Sequence, residues 1–380
     1  MKKIPLLTLF TLFLGIGSFA QRNCQTVEYT NDIIENHPQA LQEMMEIERH
    51  TAELQLHPRL RSGDQLIKIP VVVHILYNNA KENISDAIVH SQLEVLNEDY
   101  RMLNPDQTNE WAQAADINIE FYLASTDPQG NPTNGIIRRY TTYSDWNTGS
   151  QMKFTNYGGS DAWPSDQYLN IWVVDLKGGK MGFAQMPGGP AKTDGVVIDY
   201  AFFGRTNNNP KYGLGRTATH EIGHWLNLRH IWGDGGCHRD DFVSDTPSSD
   251  RPSTDCAEDK FTCGSKDMVA NFMDYSYDYC MNLFTEGQKT RMRSLFAKGG
   301  FREDLLRSSG LDNHPQGDEN SRVEDNHNAE EEETEQEEED NKNNDQDQEE
   351  EENESTQQSD NESEDVKGNC SAPTNLSAHI

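Results

Sequence analysis

The chain has 380 residues and a formal net charge of −32, enough length for one large domain or two ordinary ones. About 25 acidic and 3 basic side chains fall within residues 312–367, so this segment carries most of the charge. The sequence has no basic stripe, which disfavours nucleic acid as a partner.

The first twenty residues have the three parts of a signal peptide. Two lysines precede an apolar run from Ile4 to Leu14, and Ser18-Phe19-Ala20 follows as a cleavage site. The run is shorter than the roughly 20 apolar residues that span a bilayer, and no later stretch is apolar enough to do so. Residues 1–20 therefore predict a secreted, extracellular protein that can form disulfides. A lipid anchor at Cys24 is a poorer alternative, because the residues before it are not small.

A polar, helix-prone segment follows the signal peptide and is interpreted as part of a pro-segment over residues 21–61. Apolar patterns then predict a series of strands, with one helix after the first of them, over residues 85–103. The predicted strands cover residues 67–77, 117–123, 135–143, 169–176 and 195–200.

The second half of the predicted domain is helical and irregular. A helix over residues 217–227 leads into a Gly-, Asp- and Cys-rich stretch over residues 230–271, and a helix over residues 285–296 follows. The order of the elements predicts an α+β domain over residues 62–311.

The C-terminal residues do not have the composition of a folded domain. Residues 312–367 are nearly free of apolar side chains, so they are predicted to form a disordered linker. Calcium capture or adhesion is the alternative. Residues 368–380 resemble the first strand of a fibronectin type III domain, and one strand cannot fold alone. They are interpreted as the start of a truncated domain.

The motif HEIGHWLNLRH, from His220 to His230, carries the chemistry. His220 and His224 are four residues apart, which places both imidazoles on one face of a helix and suits Zn²⁺. Glu221 adjoins the first ligand and can take the proton of a zinc-bound water that attacks a carbonyl. His230 is six residues past His224, so the chain must leave the helix near Asn227 and fold back. Surface histidines or a structural zinc are the alternatives, but a structural zinc has no use for Glu221.

These residues resemble the extended zinc motif of the metzincins, HExxHxxGxxH, and the sequence around them resembles that of the pappalysin family. The family glycine is Asn227 here, at a position expected to need φ > 0, which Asn tolerates at a modest cost. The resemblance covers the predicted domain. It runs through Leu169–Val173, Gly182–Gln185, Gly195–Asp199, His220–Trp232, Gly236-Cys237, Val243–Pro247, Asn271–Tyr275 and Phe284–Gln288.

The resemblance implies a metzincin-like fold. Its parts are a mixed twisted sheet, an active-site helix, an irregular lower subdomain stapled by disulfides, and a C-terminal helix. It implies His220, His224 and His230 as zinc ligands, Glu221 as general base, Met273 as the Met-turn residue and Tyr275 as a hydrogen-bond donor to the oxyanion. It also implies that the strand Leu169–Val174 is the sheet edge that receives an extended peptide.

Four of the six cysteines lie between Cys237 and Cys280. They allow three disulfide pairings, with a four-thiolate zinc site as a disfavoured alternative. The resemblance favours the pairs Cys237–Cys263 and Cys256–Cys280. It also implies calcium in the same loop, where hard oxygen ligands cluster; a solvated acidic loop is the alternative. The candidate calcium ligands are Asp240, Asp241, Asp245 and Thr246.

Two further residues have roles that the resemblance implies. Cys24 is expected to place its thiolate on zinc in the latent precursor, a cysteine switch; pairing with Cys370 or a spare thiol is the alternative. Asp278 is expected to line the S1′ pocket and to prefer Arg after the scissile bond. A solvated position or a calcium ligand is the alternative for Asp278. The junction at Arg59, Arg61 and Ser62 would suit processing by such an enzyme.

The sequence therefore predicts a secreted, monomeric zinc endopeptidase that is made as a zymogen and acts on extended peptides. An inactive metzincin-fold adhesion or binding module is the rival class, and a zinc hydrolase of non-peptide amides is a third. The presence of Glu221 beside the three histidines favours an enzyme over the binding module.

Overall fold

The computed structural model describes residues 22–57, 65–206, 209–257 and 259–313. The predicted signal peptide, the junction with Arg59, Arg61 and Ser62, Cys370 and all but the first two residues of the acidic tail lie outside these ranges. None of the described helices combines the length and the apolar character that a membrane-spanning segment requires.

The domain is built on a mixed six-stranded sheet with helices packed on it, as predicted for an α+β domain. Strand β1 pairs in parallel with β2 along its first half and with β3 along its second half. From β1 the sheet continues through β4 and β6 in parallel and ends in the antiparallel strand β5. The strands are β1 (Ile67–Tyr77), β2 (Ile119–Leu123), β3 (Ile136–Tyr140), β4 (Leu169–Val174), β5 (Gly182–Ala184) and β6 (Val196–Asp199), with a small hairpin of β7 (Phe261–Thr262) and β8 (Ser265–Lys266).

Five α-helices surround this sheet in the described residues. They are α1 (Thr26–Asn36), α2 (Gln39–Leu56), α3 (Asp86–Tyr100), α4 (Arg216–Trp225) and α5 (Glu286–Ser294). The predicted N-caps Ser85 and Thr285 precede α3 and α5, and each side chain accepts a backbone N–H from the first turn. The helices and strands predicted from sequence periodicity are present, and their observed ends differ from the predicted ends by a few residues.

The sheet is buried on both faces, which explains why its central strands read as continuous apolar runs. Along β4, Ile171 and Val173 face the main core, which also contains the zinc-motif helix α4. Trp172 and Val174 point to the other face and belong to a second core cluster with α1. Helices α3 and α4 therefore cover one face. The predicted pro-segment, residues 21–61 and called the pro-segment below, contributes to the cover of the other.

The predicted role of β4 as the edge strand is wrong. β4 lies between β1 and β6, and the edge beside the zinc motif is β5, residues Gly182–Ala184. β5 has three residues and no alternating pattern, so its sequence carried no strand signal of its own. The edge strand beside the zinc motif is thus a segment to which the sequence patterns assigned no strand.

The two helices of the pro-segment contact each other and pack on different elements of the domain. Tyr29 and Ile33 of α1 join the second core cluster behind β5. Helix α2 packs against α5, where Thr51 and Ser294 share a hydrogen bond of 2.9 Å between their hydroxyl oxygens. The pro-segment is therefore integrated into the fold through buried contacts.

Candidate active site

Three imidazoles converge at the end of helix α4. The Nε2 atoms of His220 and His230 lie 3.2 and 3.1 Å from the Nε2 of His224. His230 reaches them because the chain turns at Asn227, whose φ of +73° is the left-handed conformation expected there. The helix and the turn together bring three nitrogen donors to one point.

Each of these rings is held through its other nitrogen. Nδ1 of His220 donates to the carbonyl oxygen of Phe272 at 2.7 Å, and Nδ1 of His224 donates to that of Leu228 at 2.9 Å. Nδ1 of His230 lies 2.6 Å from a carboxylate oxygen of Asp234. Such contacts fix the tautomer in which Nε2 has a free lone pair.

The site fits zinc on chemical grounds. Burial lowers the pKa of His220 and of His224, so both rings are neutral, as a metal ligand must be. A sulfur atom completes the set, because Cys24 brings its Sγ within 4.8 Å of the ligand atoms of all three histidines. Nitrogen and thiolate donors in a group of four are typical of tetrahedral zinc.

Glu221 is enclosed by the pro-segment. Its Oε2 accepts a hydrogen bond from Thr26 Oγ1 at 2.9 Å and lies 3.4 Å from Cys24 Sγ. Burial raises the pKa of Glu221 to about 7. The predicted base thus lies beside the predicted metal centre, and Thr26 and Cys24 cover it.

Met273 and Tyr275 flank the histidines. Met273 is fully buried beneath helix α4, so close that a Cβ added to Gly223 would lie 2.4 Å from its sulfur. The ring of Tyr275 lies 5.0 Å from that of His230, and its hydroxyl lies 3.5 Å from the carbonyl oxygen of Cys24. The tyrosine hydroxyl therefore points at the position that the pro-segment occupies.

Asp278 is fully buried and forms an ion pair with the pro-segment. Its Oδ1 accepts from a guanidinium nitrogen of Arg22 at 2.5 Å, and both side chains are 1% exposed. The other oxygen accepts the backbone N–H of Leu214 at 2.9 Å. Asp278 is thus held in place and points at a guanidinium, and the alternative of a solvated position is wrong.

The pro-segment also pairs with the edge strand. Asn23 O accepts from Met181 N at 3.1 Å, and Gln25 N donates to Gly182 O at 3.0 Å. Cys24 lies opposite Gly182 in a parallel bridge. The backbone of the pro-segment therefore runs through the cleft in the same direction as β5.

The irregular segment after the zinc motif contains two disulfides. They join Cys237 to Cys263 and Cys256 to Cys280, the pairs that the resemblance favours. Cys24 is the free cysteine of the described residues, and it is buried.

The acidic loop residues are engaged within the protein. Asp241 accepts from Thr246 Oγ1 at 2.8 Å, and burial raises the pKa of Asp241 to about 7. Asp245 accepts from Thr285 Oγ1 at 2.7 Å and Asp240 from the N–H of Phe242, also at 2.7 Å. Among the described residues, the candidate calcium ligands do not form a group of metal-binding carboxylates.

Sequence reasoning missed three residues of the site. The spacing of four residues between His230 and Asp234 is a weak indication that the carboxylate contacts the ring. Arg22 lies two residues before Cys24, and Thr26 two residues after it, so both could have been suspected from the predicted switch. Nothing in the sequence pointed from Arg22 to Asp278, which is 256 residues away.

Comparison with known proteins places this site in a family. The profile of the pregnancy-associated plasma protein-A peptidase family matches residues 156–297. Extracellular metalloprotease 1 of Coccidioides posadasii is 33% identical over 242 residues, which cover 60% of this chain and 77% of that protein.

Solved structures agree in fold. Mature mirolysin of Tannerella forsythia, in complex with a cleaved peptide, is 47% identical with a TM-score of 0.61, covering 64% of this chain and 96% of that one. A promirolysin variant from the same organism is 44% identical with a TM-score of 0.68, covering 75% and 97%. The chain therefore belongs to the pappalysin family of zinc metallopeptidases, which have the metzincin fold.

Proposed function

We propose that this chain is a secreted endopeptidase that is made as a latent precursor and cleaves extended peptides before arginine. His220, His224 and His230 would hold zinc, and Glu221 would be the general base. The observation that carries the proposal is the convergence of three oriented imidazoles beside a buried glutamate. An inactive binding module would need no such arrangement of base and ligands.

Zinc, when bound, supplies a Lewis acid that polarises the peptide carbonyl and makes water a nucleophile near neutral pH. Glu221 takes the proton of the attacking water and delivers it to the leaving amine. The Tyr275 hydroxyl, which now faces the carbonyl oxygen of Cys24, donates a hydrogen bond to the oxyanion once a substrate replaces the pro-segment. Met273 packs beneath the ligand helix and keeps it in position.

Latency follows from what the pro-segment occupies. Cys24 supplies the fourth donor of the metal centre, Thr26 covers the base, and Arg22 fills the pocket at Asp278. The backbone direction supports the same conclusion. In the pro-segment, Arg22 comes before Cys24, whereas the arginine of a substrate would come after the bond at the metal. A substrate would therefore run antiparallel to β5, and the pro-segment runs parallel to it. The pro-segment therefore fills the cleft in the reverse direction.

The preference for arginine rests on Asp278. One of its oxygens is fixed by the Leu214 N–H, and the other faces the Arg22 guanidinium. A buried, oriented carboxylate favours arginine, since a planar guanidinium can satisfy it with directed hydrogen bonds.

Calcium in the loop of Asp240, Asp241, Asp245 and Thr246 stays a prediction, which metal analysis of the purified protein can check.

The test of the proposed chemistry is Glu221→Gln, with Glu94→Gln on the exposed side of α3 as the matched control. We expect Glu221→Gln to keep its zinc content, measured by elemental analysis, and to lose casein hydrolysis by about 10²–10⁴-fold. Chelation should abolish the activity of the wild type, and added zinc should restore it. Casein cleavage by Glu221→Gln at the wild-type rate would contradict the assigned mechanism.

A further inference from the structure

Tyr29 of the pro-segment occupies a deep pocket behind the edge strand. Its side chain is fully buried, and its ring lies 4.8 Å from that of Phe183 on β5. The hydroxyl lies 2.8 Å from Ser150 Oγ and accepts a hydrogen bond from Lys153 Nζ at 3.2 Å. We call this the phenol pocket and define it by Ser150, Lys153, Trp172 and Phe183.

Lys153 places a buried amino group at the end of the pocket. The side chain is fully buried, and its Nζ also donates to the carbonyl oxygen of Thr193 at 2.6 Å. The Nζ lies 4.7 Å from the Tyr29 ring centre and 4.9 Å from that of Trp172. Among the described residues, no carboxylate oxygen lies within 4.0 Å of it. Burial lowers the pKa of Lys153 to about 7.

Loss of the pro-segment would leave the Lys153 nitrogen without one of its two oxygen partners. Tyr29 belongs to α1, so its departure would open a cavity with aromatic walls, a lysine nitrogen and a serine hydroxyl. An unpaired polar group in such a place costs free energy. The opened pocket is therefore suited to a ligand that has an aromatic body and a terminal oxygen.

The pocket adjoins the peptide cleft. Helix α1 begins at Thr26, whose Oγ1 accepts from Ala184 N at 2.8 Å and donates to Glu221. From Cys24 to Tyr29 the chain advances by two residues before the helix and three helical ones, which together span at most about 11 Å. Arg22 marks the side that receives residues after the scissile bond, so α1 lies on the side of the residues before it.

Resting on the proposed function, we propose that the phenol pocket of the processed enzyme is a substrate subsite for a tyrosine side chain. The substrate tyrosine would lie about three residues before the scissile bond, because 11 Å corresponds to about three extended residues. Its hydroxyl would take the place of the Tyr29 hydroxyl between Lys153 and Ser150. Phenylalanine would fill the same space but would leave the Ser150 hydroxyl without this partner and Lys153 with only the Thr193 carbonyl, which is the basis for selectivity.

The test compares peptides that differ only in Tyr or Phe at two, three or four residues before an arginine cleavage point. A site-specific protease sequence placed within residues 58–64 releases the pro-segment in every variant alike. We expect the wild type to cleave the best tyrosine peptide with about tenfold higher kcat/KM than its phenylalanine partner. In Lys153→Met this ratio should fall to about one, and in the exposed control Lys298→Met it should stay at the wild-type value.

Ser150→Ala is a second variant that does not alter the buried lysine, and we expect it to lower the ratio about threefold. Peptide binding to processed Glu221→Gln, measured by fluorescence, separates this inference from the proposed function because it needs no catalysis. A tyrosine preference in binding, without cleavage by the wild type, would support the pocket and contradict the peptidase. Equal rates and equal affinities for the tyrosine and phenylalanine peptides would overturn the inference.

Discussion

Asp278→Asn is the sharpest test of the arginine pocket. The substitution keeps the size of the side chain and an oxygen acceptor for the Leu214 N–H, but it removes the charge that faces a guanidinium. The ion pair with Arg22 is buried on both sides, so solvent does not screen it. Removing one partner of a buried pair costs about 3–5 kcal/mol, since the other charge stays buried without compensation.

The lower end of that range corresponds to a loss of about a hundredfold in kcat/KM. The assay is a pair of peptides with Arg or Leu after the scissile bond, each cleaved by the processed enzyme. We expect the ratio of kcat/KM for the Arg peptide over the Leu peptide to fall by about a hundredfold in Asp278→Asn. Cleavage of the Leu peptide should change little, because its side chain makes no charged contact.

Asp304→Asn is the matched control, since its carboxylate is 65% exposed and pairs with Arg307. Its Arg-to-Leu ratio should equal that of the wild type. An Asp278→Asn enzyme that kept the wild-type ratio would refute the reasoning. A wild-type profile led by Leu or Phe after the cut would do the same.

Three other perturbations test separate parts of the site. The Cys24→Ala precursor should lose its pro-segment sooner than the wild type, because the fourth donor of the metal centre is gone; an equally latent variant on a gel time course would argue against the switch. Asp234→Ala should weaken zinc affinity by about 10–100-fold in a chelator competition, since His230 loses the acceptor for its Nδ1–H. Removal of residues 315–380 should leave kcat/KM for peptides unchanged, and a large loss of activity would show that the folded unit extends further.

Most helices and strands of the domain could be predicted from the sequence, because the patterns that specify them lie within each element. The strands β1 and β4 are runs of apolar residues, and α5 carries a capping box at Thr285. The fold-back of the zinc motif was also predictable, since six residues separate His224 from His230 and a straight helix would carry the third ring away. The φ of +73° at Asn227 agrees with that expectation.

The parts that the sequence did not predict depend on long-range contacts. The edge strand β5 is defined by its pairing with β6 and by the pro-segment beside it, because three residues carry no periodicity. Lys153 has a polar side chain in a short turn, which by residue type alone favours an exposed position. Its burial depends on Tyr29, 124 residues earlier in the chain.

Latency depends on several pro-segment contacts, because the contact of Cys24 with the metal centre needs support from its neighbours. The Cys24 thiol is fully buried, and burial raises the pKa of this group well above its usual value, so the thiolate form is disfavoured wherever no metal stabilises it. Arg22 and Tyr29, on either side of Cys24, are held by an ion pair and by a buried ring contact that do not depend on the state of the thiol. These flanking anchors keep the sulfur at the metal centre at high effective concentration. Latency would accordingly end when the chain between the anchors and the domain is cut and the anchors dissociate together.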